Sequence, residues 1–270
     1  MSGVQSFSYS SSKLTENMNN LGHIARPVDI ILPEQTSESS IEFTLPLGSN
    51  GGSSDPFFDS QSSGILSVER FTVSSKDLVG ETTISGSYLT EYSISCSVAE
   101  PVRGSVSYQG EIPILDTGSF LLESQQTDDD YTLFKPSNIF ITPDFADGIG
   151  TNEHCIQNFS LSFSIGRMPV TRLTQNVPYT RYPTLPIFGQ LTMSVYKKQL
   201  IGVDVSSIVV PTGVFSIDLC NSDNDPVIRY IVSGCMLEDV SSNSSLDDNV
   251  TLDFSYKFPL SNSTFSREVL

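Results

Sequence analysis

Histidines, an acidic run and a glycine-rich loop are the residues of this sequence with the types that catalysis, metal binding or phosphate binding requires. A nucleophile needs a neighbouring base, but neither of the two histidines, His23 and His154, lies in a recognisable active-site motif. The three aspartates at 128–130 lack the spacing and closing glutamate of a calcium loop and fit a solvated turn. No helix start follows the glycine-rich residues 48–54, which excludes a phosphate cradle. We therefore predict no catalytic residue, no metal site and no cofactor, and hence not an enzyme.

The charge balance of the chain narrows its possible partners. Its 270 residues carry a formal net charge of −17, with 31 acidic residues against 14 lysines and arginines. Strong binding to nucleic acid needs basic patches that neutralise phosphates, so this composition argues against it and against an anionic membrane surface. The simpler alternative is that acidity only keeps the protein from associating nonspecifically.

Strict alternation of apolar and polar residues predicts an all-β protein. In residues 159–165 every odd position is apolar and every even position is serine, as in a half-buried antiparallel strand. Residues 92–98 and 250–258 alternate in the same way. Helix is expected only as one short segment in each half, at 74–80 and more weakly at 200–208, and long loops are expected at 12–39, 48–64, 167–188 and 238–249. The remaining predicted strands are 41–47, 66–73, 102–109, 191–196, 215–219 and 228–233.

The second half of the sequence resembles a rewritten copy of the first. Landmarks recur in the same order about 140 to 150 residues apart: Phe7 with Phe159, Phe43 with Met193, and Tyr108 with Tyr256. Such spacing indicates a tandem duplication, and each copy is long enough to bury a core of its own. We predict a first antiparallel β-sandwich or barrel domain at 1–115, a linker or small insertion at 116–154, and a second such domain at 155–270.

Two loop segments carry residue types that are common at protein interfaces. They place bulky and cationic side chains where regular structure is not expected, and aromatic and arginine residues are enriched in the centres of interfaces. The alternative is that these side chains pack beneath their own barrel. The candidate assembly residues are Phe57, Phe58, Arg181, Tyr182 and Pro183.

The cysteines and the amino terminus suggest a reducing compartment. Residues 1–6 have neither a basic start nor an apolar stretch, so we expect no secretion signal and folding in a cytosol. Cys96, Cys155, Cys220 and Cys235 show no Cys-x-x-Cys spacing and are expected as free, buried thiols, with disulfides as the alternative.

The serine-rich paired strands, the Arg181-Tyr182-Pro183 segment and a closing strand at 252–257 together resemble the tail tube proteins of long-tailed bacteriophages. The likeness spans most of both halves. It implies small β domains, each with a short helix and a long loop, that form six-domain rings stacked into a hollow tube. One duplicated chain would then fill two ring positions, and three chains would complete a ring. The resemblance also implies a virion-tail protein assembled in the host cytoplasm, with self-association, contacts to tail sheath or to tail-tip or terminator proteins, and no membrane partner.

The resemblance gives the acidic composition a role, since a DNA conduit must not bind what passes through it. Carboxylates lining the bore would repel phosphates and leave no adhesive sites. The candidate lumen residues, chosen from expected exposed strand positions, are Glu42, Glu91, Asp218 and Asp253.

Two other functions remain open from the sequence. A tail-tip, distal tail or tail-completion protein would use the same domain but form a single terminal ring. A β-sandwich carbohydrate-binding or adhesin module would need an exposed aromatic platform, against which the absence of tryptophan and the serine-lined strand faces argue.

Overall fold

The computed structural model describes residues 4–18, 28–47, 66, 71–76, 81–110, 114–116, 132–142, 156–172, 178–196, 213–243 and 251–270. Apart from one 3-10 turn at Pro136–Asn138, the regular structure of these residues is all β-strand, which confirms the all-β prediction. The strands are β1 Val4–Met18, β2 Val28–Thr44, β3 Pro46–Leu47, β4 Phe71–Lys76, β5 Glu81–Ser97, β6 Arg103–Gly110, β7 Ile114–Asp116, β8 Thr132–Leu133, β9 Ile139–Thr142, β10 Ile156–Ser164, β11 Arg167–Val170, β12 Thr180–Pro183, β13 Phe188–Tyr196, β14 Gly213–Cys220, β15 Pro226–Asn243, β16 Thr251–Pro259 and β17 Phe265–Val269.

A single 13-stranded antiparallel sheet organises the described residues. Its central order is β1-β2-β6-β5-β10-β13-β16-β15-β14-β9, and β4 and β7 pair with β5 while β17 pairs with β15. Two short pairs, β11-β12 and β3-β8, lie outside it. The strands of the first half therefore continue into those of the second half through the β5·β10 pair.

The strand pairing of the first half is repeated in the second half. Strands β1, β2, β6 and β5 are neighbours in that order, and β10, β13, β16 and β15 follow the same order. Likewise, β4 and β7 flank the first part of β5 as β14 and β17 flank the first part of β15. The repeat that the sequence suggested thus extends to the hydrogen-bonding topology of the sheet.

The registers of the two halves also agree, including their irregularities. A bulge separates Val4 from Ser6 in β1, and the same bulge separates Ile156 from Asn158 in β10, 152 positions later. A second bulge lies between Leu89 and Glu91 in β5 and between Leu237 and Asp239 in β15, 148 positions later. Bulges pin the register of a strand pair, so these matches define which residues are equivalent. Accordingly, Phe7 corresponds to Phe159 and Tyr108 to Tyr256, whereas Met193 corresponds to Ile41, two residues before Phe43.

Glycine permits the bend at which β5 and β15 change partners. Gly86 has φ of +62° and its counterpart Gly234 has φ of +74°. Residues with a side chain rarely adopt this left-handed backbone conformation, so glycine is the residue that fits at both positions. Beyond the bend, β5 leaves β4 and β7 for β6 and β10, and β15 leaves β14 and β17 for β16.

Alternation of apolar residues buries one face of the sheet across the junction of the halves. Ile94, Leu161, Leu191 and Tyr256 lie side by side on β5, β10, β13 and β16, and each is 0% exposed. They belong to one core cluster that takes in buried residues of both halves. The described residues thus share one core, and the division into two domains remains a prediction.

Several sequence-based expectations about secondary structure are wrong. The helix expected at 74–80 conflicts with strand β4, which continues to Lys76, and the one expected at 200–208 lies outside the described residues. The loop expected at 12–39 contains long stretches of β1 and β2, and that expected at 167–188 contains the β11–β12 hairpin. The exposed loop expected from residue 238 begins as strand, because β15 continues to Asn243. The expected linker contributes core, since Phe134 and Ile141 are buried.

Candidate functional site

None of the residues that the sequence singled out for chemistry lies in the described part of the chain. His23, His154, the aspartates at 128–130 and the glycine-rich loop lie outside the described residues. Among the described ranges, no group of three or more histidine, cysteine and acidic side chains could hold a metal ion. The features that remain are a polar sheet face and the contact between the two halves.

The polar face of the sheet, which we call the serine face, is the more extensive feature. It lies opposite the buried face on eight neighbouring strands of the sheet and carries the serines of the alternating pattern. In sheet order these strands are β1, β2, β6, β5, β10, β13, β16 and β15. Ser93 and Ser105 are linked by a 2.9 Å hydrogen bond between their Oγ atoms, and Gln190 donates to Ser255 at 3.0 Å. Its serines and threonines include Ser6, Ser8, Ser10, Ser40, Ser93, Ser95, Ser105, Ser107, Ser160, Ser162, Thr192, Ser194, Ser241 and Ser255.

Carboxylates stand on the serine face at repeated positions. Glu91 follows the bulge of β5, and Asp239 takes the same position in β15. Glu42 lies opposite Ser105, while the equivalent pair in the second half is Ser194 opposite Asp253. Each half therefore places one carboxylate at each of two equivalent sites.

Hydrogen bonds orient two of these carboxylates, and cations on the same face are fewer. Glu42 accepts a 2.9 Å hydrogen bond from Ser6, and Asp253 accepts one of 2.5 Å from Ser194. With Glu38 included, the acidic residues on the described part of the face outnumber Arg103 and Lys257. The face is thus polar and negatively charged without a cluster that would fix a ligand.

Asp218, the fourth lumen candidate, lies elsewhere. It stands on β14 directly opposite Arg229 of β15, which donates from both Nε and Nη2 at 2.7 Å. The Asp218 side chain is only 15% exposed, so the expectation of an exposed carboxylate is wrong. The pairing with Asp218 raises the pKa of the Arg229 guanidinium. A two-point contact of this kind neutralises the carboxylate, which removes it from the acidic surface.

The second feature is the contact of the β11–β12 hairpin with the first half. The Arg167 guanidinium lies over the Tyr88 ring at 5.6 Å from its centroid and donates from Nε to the Leu89 carbonyl at 2.9 Å. Tyr88 donates its hydroxyl to Thr180 at 3.3 Å. Burial lowers the pKa of Arg167 to about 10, so the group stays cationic at neutral pH. The hairpin therefore covers the bulged end of β5 and fixes the two halves together.

The assembly candidates from the sequence separate into different environments. Arg181 is 3% exposed and donates to the Gln109 side chain of the first half at 3.1 Å, which places it in an intrachain contact. Tyr182 is 50% exposed and Pro183 is half-buried. Phe57 and Phe58 lie outside the described residues. An assembly role for Tyr182 and Pro183 stays a prediction, and Arg181 joins the two halves.

Sequence reasoning missed Arg167, Tyr88 and Asp239. Arg167 and Tyr88 lie 79 residues apart in sequence, and their contact depends on the β5·β10 pair rather than on a local motif. Asp239 could have been found from the repeat, because it is the 148-residue counterpart of Glu91.

Comparisons with known proteins give no family assignment. No protein-family model matches the chain, and no curated protein sequence matches it. In the described ranges, no helix is long and apolar enough to span a membrane.

Proposed function

We propose that this protein is a structural subunit of a bacteriophage tail tube, in which three chains form a pseudo-hexameric ring and stacked rings conduct DNA. The observation that carries the proposal is the β5·β10 pair, which joins two repeats of the same topology edge to edge through backbone hydrogen bonds. Each repeat has one strand edge that can pair with the preceding repeat and another that can pair with the following repeat. Further copies can therefore extend the sheet. Rotation between repeats then allows closure into a ring.

The serine face supports the conduit part of the proposal. It runs across both halves without interruption and carries more carboxylates than cations in its described part. Hydroxyl groups satisfied by neighbouring serines offer few fixed donors to a phosphate, and carboxylates repel it. Facing the bore, such a surface would let DNA pass without specific binding. Tail sheath and tail-tip or terminator proteins would contact the outside and the ends of the tube.

Negative-stain microscopy of the purified protein tests the assembly. Tubes with a central channel are expected. Single rings that do not stack would favour a tail-tip, distal tail or tail-completion protein. Monomers, or solid assemblies without a channel, would refute the tube proposal and favour a β-sandwich binding module.

A charge reversal tests the orientation of the serine face. Tubes of the Glu42→Lys/Asp253→Lys variant should retain short duplex DNA at 0.15 M salt, whereas wild-type tubes should not. The matched control, Glu100→Lys/Asp225→Lys, makes the same charge change at exposed positions in hairpin connections. Equal retention by both variants would contradict a lumen lined by the serine face.

A further inference from the structure

Three exposed apolar side chains occupy positions that are buried in the other repeat. Tyr9 of β1 is 48% exposed, whereas its counterpart Leu161 of β10 is 0% exposed. Met236 and Leu237 of β15 are 56% and 36% exposed, whereas their counterparts Tyr88 and Leu89 of β5 are 3% and 0% exposed. The buried set lies at the contact between the halves, and the exposed set lacks that cover.

The strand edges show the same difference. The edge of β5 at 91–97 pairs with β10, and the equivalent edge of β15 has no strand partner in the described ranges. Similarly, β10 pairs on both sides, whereas β1 pairs only with β2 among the described strands. Unpaired strand edges invite further strands of compatible register.

We propose that β1 of one copy of this chain pairs antiparallel with the 236–243 part of β15 in a second copy, in the register of β5·β10. This inference rests on the proposed ring assembly and names its contact. Inside the chain, Leu161 lies opposite Ile94 and Ser162 opposite Ser93. Translating these pairs by 152 and 148 positions places Tyr9 opposite Ser242 and Ser10 opposite Ser241.

This register keeps the two sheet faces continuous. Tyr9 and Ser242 both belong to the core-side face, since they pair within their own chains with Ser39 and Leu252, which are buried. Ser10 and Ser241 pair with Glu38 and Asp253 of the serine face. A slip of one residue would exchange the faces and is excluded by the pleat.

The two edges of a chain differ from each other, which makes the contact heterologous. A dimer would leave one edge of each type open, and only a closed ring satisfies both.

Disulfide trapping tests the register. The Tyr9→Cys/Ser242→Cys variant, in a Cys155→Ser background, should form a ladder of covalently linked chains on nonreducing gels after mild oxidation. Residues directly opposite in an antiparallel pair have Cα atoms about 4.5–5.5 Å apart, within the range of Cα separations that a disulfide spans. Each single variant is a control. The Tyr9→Cys/Val240→Cys variant, displaced by two residues, should give at least fivefold less ladder, since such diagonal neighbours are about 7–8 Å apart.

The outcomes separate this contact from the tube proposal. Rings or tubes in the microscope without a matched ladder would overturn the β1·β15 register and leave the tube proposal standing. A matched ladder from closed rings that never stack would support the register and refute the tube. A folded monomer with no ladder, or with an internal disulfide only, would overturn both.

Discussion

Replacing Leu161 by alanine should destabilise the whole chain, because this side chain lies where the two halves share their core. Leu161 is 0% exposed, and its cross-strand neighbours Ile94 and Leu191 are also 0% exposed. Both neighbouring strands hold it through backbone hydrogen bonds, which limits collapse around the cavity. Leucine-to-alanine changes at such sites cost about 3 kcal/mol in the free energy of unfolding.

Urea denaturation followed by far-ultraviolet circular dichroism measures this loss, at a concentration where gel filtration shows a monomer. A loss of about 3 kcal/mol corresponds to a midpoint about 1 M lower for a slope of about 3 kcal/mol/M. Tyr9→Ala is the matched control, since Tyr9 occupies the same position of the other repeat and is 48% exposed. Its effect on the monomer should stay below about 1 kcal/mol.

The number of transitions in the same experiment reports on the shared core. A single transition that moves as a whole is expected, because Ile94 belongs to the first half and Leu161 to the second. Two unfolding transitions, of which only one has a shifted urea midpoint in Leu161→Ala, would refute the coupling of the halves through the contact between Ile94 and Leu161. A loss below about 1 kcal/mol would refute the packing itself.

Three further substitutions or titrations test separate parts of the structure. Gly189→Ala should lower the free energy of unfolding by about 1–3 kcal/mol, because the added Cβ would overlap the Phe258 ring. Gly166→Ala, whose Cβ would have its nearest neighbour at 3.7 Å, is the control, and equal losses in urea would contradict the Gly189–Phe258 contact. Burial raises the pKa of Cys96 and Cys235 to about 11, so in a Cys155→Ser background thiol labelling at pH 8 should be at least about 100-fold slower in the folded than in the unfolded protein. Folding raises both pKa values above the ordinary thiol value of about 8.5. The two protonated thiols therefore make their full contribution to stability below that pH, and this contribution declines toward pH 11. Rapid labelling of the folded protein would argue against burial. Arg181→Ala should cost about 1–3 kcal/mol by thermal or urea unfolding, whereas Tyr182→Ala should cost less than about 1 kcal/mol, and the opposite ranking would place Tyr182 in the core.

Local alternation was sufficient to predict the strands that have one buried and one polar face. Serine at every even position of residues 159–165 correctly indicated β10, and the same pattern located β16 and the second part of β5. The β11–β12 hairpin was missed because Pro169 and Pro183 interrupt the pattern, although each proline pairs at a two-stranded ribbon rather than inside the sheet. Strand β4 was missed in part because Ser74 and Ser75 resemble a helix cap.

Contacts between distant segments could not be predicted in the same way. The burial of Arg181 depends on the position of Gln109, which only the sheet order brings near. The exposure of Asp218 was predicted from alternation alone, and the Arg229 partner lies across a strand pair whose register no local pattern fixes. Residue types suggested a repeat, but equivalent positions are defined by the β-bulges. These bulges arise from strand pairing and cannot be read from a local pattern.

The matched bulges show where the two halves differ in length. From Val4 to Phe43 the halves keep a constant separation of 152 positions, and from Leu89 to Tyr108 one of 148. At β4 and β14 the separation is 142 positions, and at β7 and β17 it is again 152. The length differences between the halves therefore fall in the connections between paired segments, since a single residue gained or lost inside a paired segment would turn its apolar side chains to water. We expect related chains to differ in length at residues 48–70, 77–80 and 111–113 and at 197–212, 221–225 and 260–264, while the paired segments keep a constant number of residues, even where few identical residues remain.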